Sequence, residues 1–330
     1  WWLPSDSWLW PISPCSFSPT AVRGCCASPG FARTHSCAPF AFYVVFTVVL
    51  SVFLFAAAAV KFLAPVRSVK LWSSRVTDWI ASGLWVKCAM FTHRLTGRVR
   101  WEVTGAEKIN TDRWCLITSN HQSWVDILVL VHVLAGRVPA YKFFIKKELL
   151  WVPFFGQCLW ALDFPVMKRY SRAFLEKNPH LKGKDLETAK KSCEKFKETP
   201  VTVMNFAEGT RFTSEKHSRQ QSPFKHLLRP RAGGMVMVLY AMGDLLEEMA
   251  DITIAYPEGV PGLWEFFCGR ISRVKVDARI LQIPDEFKQG DYFNDPAQRS
   301  RFNEWLNSLW EEKDSILDTM LSDKESFSGR

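Results

Sequence analysis

The chain has 330 residues, 48% of them hydrophobic, with 42 Lys and Arg against 33 Asp and Glu. That length and apolar content suffice for one large domain with appendages and a substantial core. A net charge of +9 invites an anionic partner. Nucleic acid is excluded as that partner because no recognisable binding module is present. Four of the nine cysteines fall in the first 37 residues. The others (Cys88, Cys115, Cys158, Cys193 and Cys268) stand singly without metal-ligand spacing, which excludes a zinc site and a disulfide framework and fits a reduced cytoplasmic compartment.

In chain order, residues 1–37 are rich in serine, proline and cysteine without a sustained period, and read as an unstructured leader or an artefact of gene calling. Residues 38–64 form the first element. Ala38 to Val60 carries no charge and is long enough to cross a hydrocarbon core of ~30 Å as a helix, so a transmembrane anchor is expected. Lys61, Arg67, Lys70 and Arg75 follow it, against Arg23 and Arg33 before it, which puts the body on the cytoplasmic side. Within residues 65–98, Leu71, Trp72, Val76, Trp79, Ile80, Leu84 and Trp85 trace an amphipathic helical face. Such a helix lies in the membrane interface or packs on the core; the spacing serves both.

Residues 99–330 carry strands near Val99–Val103, Trp114–Thr118, Lys142–Ile145, Val201–Phe206, Ile252–Ala255 and Arg273–Ile280, with helices between them. Alternation of this kind predicts an α/β sheet covered by helices on both faces. The uncharged run Trp114-Cys115-Leu116-Ile117-Thr118 delivers His121 to a sheet rim, and Ile127, Leu128, Leu130, Val131 and Leu134 continue on helical spacing. Five residues along a helix rotate by ~500°, so His121 lies before the helix and only Asp126 within it. An imidazole takes a proton near neutral pH, and a carboxylate on its far nitrogen fixes the tautomer and stabilises the imidazolium. Asp126 is placed to be that carboxylate.

A second β run, Val201 to Phe206, ends in Ala207-Glu208-Gly209-Thr210-Arg211. Gly209 permits a tight turn, and Arg211 offers a fork of donors suited to phosphate. A turn closed by a Glu208–Arg211 ion pair is the structural alternative. Between Tyr141 and Thr199, 13 Lys and Arg face 7 Asp and Glu, a basic surface suited to anionic head groups and a phosphate-rich donor. A solvated lysine-rich helix over Lys182 to Lys197 also accounts for part of that charge. Phe302, Trp305, Leu306, Leu309, Trp310, Ile316, Leu317 and Leu321 predict an amphipathic helix packed on the body.

Asn120-His121-Gln122-Ser123-Trp124-Val125-Asp126 and Phe206-Ala207-Glu208-Gly209-Thr210-Arg211 together resemble the first and third blocks of the 1-acylglycerol-3-phosphate acyltransferase family of glycerophospholipid synthesis. Leu162 to Arg169 and Asp251 to Pro257 resemble the second and fourth, in the required order. Trp151-Val152-Pro153-Phe154-Phe155-Gly156 and Gly183-Lys184-Asp185 are similar to the lysocardiolipin acyltransferase-like branch. Ala207 departs from the proline common in the third block, and Lys168-Arg169 from the usual Asp-Arg ending of the second.

The resemblance implies that residues 99–330 are a catalytic domain. Its reaction moves a fatty acyl chain from acyl-CoA or acyl carrier protein to the sn-2 hydroxyl of a lysophospholipid, with no cofactor. His121 would be the general base and Asp126 its orienting partner; in the substrate-binding set Glu208, Gly209, Thr210 and Arg211, Glu208 would position Arg211 and the loop, and Arg211, with Lys168 or Arg169, would hold the acceptor phosphate. Backbone amides near Gly209 are the expected oxyanion donors. The partners are membrane lipids, the lysophospholipid and the acyl donor, and the protein is expected at a membrane, single-pass or monotopic. A lipid hydrolase using Ser123 is disfavoured by the lack of a Gly-x-Ser-x-Gly elbow. A non-catalytic membrane-binding protein is disfavoured by the intact site residues.

Overall fold

A computed structural model describes residues 38–96, 99–109, 111–152, 155–167, 184–288 and 292–322. The expected leader, residues 1–37, lies outside them. Strands β1 (Arg100–Thr104), β2 (Cys115–Ser119), β3 (Ala140–Phe143), β6 (Val201–Phe206), β7 (Glu248–Ala255) and β8 (Arg273–Gln282) form a six-stranded sheet in the order β1-β8-β7-β2-β6-β3. Strands β7, β2, β6 and β3 run parallel, β8 is antiparallel to β7, and β1 is parallel to β8. The sheet is therefore mixed. All five residues of β2 are buried, which explains why its sequence reads as a continuous apolar run rather than an alternation.

Both faces of the sheet are covered. On one, Ile117, Met204, Ile252 and Ile254 pack with Val86, the helix Val125–Leu134 and the Phe266–Phe267 pair. On the other, Leu116, Val203, Met249 and Ala255 pack with the helix Ala232–Met242 and with Phe302, Leu306, Leu309, Trp310 and Leu317 of the C-terminal helix Pro296–Ser322. The carboxyl ends of four parallel strands meet at one sheet edge, the usual location of a site in such folds.

The expected strand Lys142–Ile145 is broken at Phe144. Ala140–Phe143 joins the main sheet beside β6, whereas β4 (Ile145–Lys146) pairs in parallel with β5 (Val166–Met167). The Ile145 amide donates to Pro165 O at 3.0 Å, which turns the chain away from β6 where β6 itself enters a turn.

The helix α1 (Ala38–Leu63) coincides with the apolar run, and Ala41–Leu63 is long and apolar enough to cross a membrane. One side of it is buried: Leu50, Leu54 and Ala58 pack with Ile80 and Ala161. The segment after it forms the helix Arg67–Trp79, a π-helical turn Ile80–Trp85, and the helix Val86–Thr96. Ser73 and Thr77 face inward, and Trp72 and Trp79 are exposed, so the segment packs on the body with one face and leaves tryptophans outside with the other. The lysine-rich segment forms the helix Lys184–Cys193 and a 3-10 turn Glu194–Lys197.

Candidate active site

Asp126 organises the site. The helix begins at Val125, so its carboxylate stands in the first turn, where the helix dipole favours negative charge. It is fully buried, and both oxygens are occupied. Oδ2 accepts the Gln122 and Ser123 amides at 2.6 and 2.8 Å and meets His121 Nδ1 at 2.9 Å. Oδ1 accepts the Tyr256 hydroxyl at 2.7 Å. Burial and this carboxylate push the Tyr256 hydroxyl well above its ordinary value, which keeps it a donor.

The loop before the helix is locked to β7. The Asn120 side chain donates to Ile254 O and accepts from Ile254 N, both at 2.9 Å. Ser123 Oγ donates to Pro261 O and accepts the Val125 amide at 3.1 Å. Those contacts tie the Ser123 hydroxyl into the loop's own hydrogen bonding.

Residues after β6 hold His121 from the other side. Its ring stacks on Phe206 with centroids 4.0 Å apart and 16° between planes. Its amide donates to Glu208 Oε1 at 2.9 Å, and its carbonyl accepts the Phe212 amide at 2.7 Å. Glu208 Oε2 accepts the Leu228 amide at 3.0 Å. Burial pushes the Glu208 carboxyl up to about 8, with Asp126 adding to the rise and the two amides and Lys313 opposing it. Two N–H donors on separate oxygens suit the carboxylate; desolvation favours the acid.

The Glu208–Arg211 ion pair, the structural alternative, is not among the contacts of the described residues, because the Glu208 oxygens face backbone amides instead. Arg211 lies over the half-exposed Trp124 ring, 5.0 Å from its centroid. The Gly209 amide donates to Phe206 O at 2.9 Å, which removes it as an oxyanion donor. Gly209 has φ 68°, a conformation that strains other residues, and a Cβ there would lie 3.3 Å from Arg231 Cδ. Thr210 Oγ1 and Arg211 O accept from Lys216 Nζ at 2.8 and 3.1 Å. Lys168 and Arg169 lie outside the described residues.

Sequence reasoning missed Tyr256, Phe206 and Lys216 as site residues. Tyr256 and Phe206 carry a signal, since each stands at the end of a strand bearing a block; Lys216 carries none. Burial pulls the Lys216 ammonium below its ordinary value, and the charges of Arg211, Arg219 and Arg231 add to that. A cluster of this sign at the mouth of the site is suited to an anion. His121 is thus a base candidate with its Nδ1 engaged by Asp126, beside a basic rim.

The raised Glu208 value has a consequence for stability. The folded protein holds a proton at Glu208 that the unfolded chain, at its ordinary 4.5, releases. That contribution is present at acid pH and lost as pH rises through about 8. Between pH 6 and pH 9 the melting temperature of the wild type should therefore fall relative to that of Glu208→Gln. Melting curves by calorimetry check this; parallel pH dependences would contradict it.

Residues 100–256 match the family model described as Acyltransferase. Among curated relatives, 1-acyl-sn-glycerol-3-phosphate acyltransferase 3 of Arabidopsis thaliana is 26% identical over 64% of this chain and 55% of its own length. Lysocardiolipin acyltransferase 1 of Gallus gallus is 22% identical over 74% of this chain and 64% of its own. The chain thus spans between about half and two thirds of the length of these relatives. A crystal structure of the 1-acyl-sn-glycerophosphate (LPA) acyltransferase PlsC from Thermotoga maritima aligns at 19% identity over 83% of this chain and 94% of that one, with a TM-score of 0.46. The span that is similar to the Acyltransferase model contains His121, Asp126, Glu208, Arg211 and Tyr256.

Proposed function

We propose that this protein is an O-acyltransferase that moves a fatty acyl chain from an acyl-CoA or acyl carrier protein thioester to the sn-2 hydroxyl of a lysophospholipid. The preferred acceptor is 1-acylglycerol-3-phosphate, giving phosphatidic acid. Lysocardiolipin is the second reading, favoured by the Trp151 to Gly156 segment. The observation that carries the proposal is the His121 Nδ1 to Asp126 Oδ2 contact of 2.9 Å at the carboxyl edge of the sheet.

Donation of Nδ1–H to Asp126 leaves the Nε2 lone pair to remove the acceptor's hydroxyl proton. The oxygen attacks the thioester carbonyl, the tetrahedral intermediate collapses with cleavage of the C–S bond, and the thiolate takes the proton back from Nε2. The ester and the free thiol are the products. Arg211, Lys216 and Arg231 supply the charge for the acceptor phosphate.

The same reading accounts for the apolar exterior. Val45, Val52, Phe53, Phe62, Leu63, Trp72, Trp79, Trp151 and Trp160 are exposed, an arrangement suited to lipid and its interface. Both ends of α1 engage the body: the Tyr43 and Phe267 rings are 4.6 Å apart near one end, and Lys61 pairs with Asp163 near the other. These contacts support a helix lying in one leaflet along the cytoplasmic body over one that crosses the bilayer.

His121→Ala should lower the acyl-transfer rate of purified protein by ~10²- to 10⁴-fold with folding and membrane association retained, and Asp126→Asn should give a smaller loss. Near-normal turnover of His121→Ala would sink the mechanism. Acceptor KM should rise from wild type to Arg211→Lys to Arg211→Ala, by roughly 10- to 150-fold in the last, as expected for a charged hydrogen bond of ~1.5–3 kcal/mol. Steady-state kinetics with saturating donor decide this, and a selective rise in donor KM would move Arg211 to the donor site. Cysteines introduced as Phe42→Cys and Leu63→Cys should both be labelled from the cytoplasmic side by an impermeant maleimide; labelling from opposite sides would show that α1 spans.

A further inference from the structure

Lys313 of the C-terminal helix is fully buried, and nothing in the reaction above uses it. Its Nζ donates to Ile252 O at 2.8 Å and lies 3.4 Å from Thr253 Oγ1. Ile252 is in register with Ser119, two residues before His121, so the ammonium sits against the strand end that delivers the base. It also faces Asp251 Oδ1 at 2.7 Å, while Asp251 Oδ2 accepts from Arg279 at 2.6 Å. Asp251 therefore lies between two cations. Arg279 additionally pairs with Glu312, which is exposed to solvent. Thr118 stands in register between Asn205 and Asp251, so a row of polar side chains crosses the sheet from Lys313's partner toward β6, which ends two residues before Glu208.

The next residue of the helix, Asp314, holds the loop that bonds Glu208. Asp314 accepts the Lys225 and His226 amides at 2.7 and 2.8 Å. Asp318, one turn on, accepts from Lys225 Nζ at 2.6 Å and meets His226 Nε2 at 2.9 Å. Two residues beyond His226 is Leu228, whose amide donates to Glu208 Oε2. One helix thus carries both a buried cation near Glu208 and the grip on the loop that bonds it.

We propose that Lys313 and Asp314 are positioning residues of the acyl-transfer site, Asp314 holding the loop that bonds Glu208 and Lys313 setting the charge beneath the sheet end, so that both act on His121 through the bond of its amide to Glu208. The inference rests on the acyltransferase reading of the site. Its physical content is charge and geometry. Protonation removes one of the two full acceptors of Glu208, so the loop bonds of His121 and Leu228 depend on a carboxylate in a desolvated place. The groups acting on it are Asp126 from the helix after His121, which disfavours ionisation, and Lys313, which favours it. Asp251, Arg279 and Asp277 set the field at Lys313, and Arg211, Lys216 and Arg231 stand on the loops beyond Glu208. Burial pulls Lys313 below its ordinary value and Asp251 opposes that.

The test measures kcat and both KM values from pH 6 to 9 for the full chain in phospholipid vesicles, with melting temperatures alongside. Loss of the Lys313 charge makes Glu208 harder to ionise, so Lys313→Met should move the acid limb of kcat to higher pH, recover toward wild type at pH 9, and leave both KM values within about twofold. Lys313→Arg should restore the wild-type limb. Asp314→Ala should lower kcat about 10-fold or more without moving the limb, since misplacement rather than charge is its effect. A pH-independent loss in Lys313→Met, or an unchanged kcat in Asp314→Ala, overturns the proposal. Should Lys313→Met fail to fold, Asp314→Ala, altered at the loop and outside the buried ion cluster, decides it. An inactive wild type would instead refute the acyltransferase reading.

Discussion

The site proposed for acyl transfer depends on the bonds of one buried carboxylate. Asp126 accepts two amides of its own loop, the His121 ring and the Tyr256 hydroxyl. A buried carboxyl group is tolerated only when hydrogen-bonded in this manner, so the loop geometry and the bonds of Asp126 enforce one another. The consequence is an imidazole held by Asp126 at one ring nitrogen and stacked on Phe206.

The sheet makes that arrangement available. Parallel pairing brings the ends of β7, β2 and β6 side by side, and each contributes one part: Tyr256, His121 and Glu208. Since the three parts come from segments far apart in the chain, no local piece of it can form the site alone. Glu208 then ties the loop of His121 to the loop of Leu228, and the C-terminal helix closes the set from beneath. The helix that completes the core is in this account also the helix that aims the base.

Much of this was legible in the residues. The run Val201 to Phe206 is a strand at the expected bounds, and helical geometry alone put Asp126 inside its helix and His121 before it. What stayed hidden shares one cause: the partner is remote in sequence. Glu208 and the His121 amide are 87 positions apart, and Tyr256 and Asp126 are 130 apart, so the first suggested an ion pair with nearby Arg211 and the second suggested nothing. Lys313 lies among acidic residues on an amphipathic helix, where a charge normally marks the solvated face. Lys142 was hidden in the same way: it is buried because Asp78 and Leu162 O, each at 2.6 Å, meet its ammonium. The break at Phe144 escaped because the competing partner of Ile145 comes from a later strand.

The central claim is that Asp126 fixes His121 in the tautomer whose Nε2 is free to take a proton. Nitrogen-15 NMR of protein labelled at histidine, with His121 assigned by its loss in His121→Ala, tests this most directly. At a pH where the ring is neutral, the account predicts a protonated Nδ1 carrying a strongly downfield proton and an unprotonated Nε2, both lost in Asp126→Asn. A neutral ring protonated at Nε2 in the wild type would contradict it.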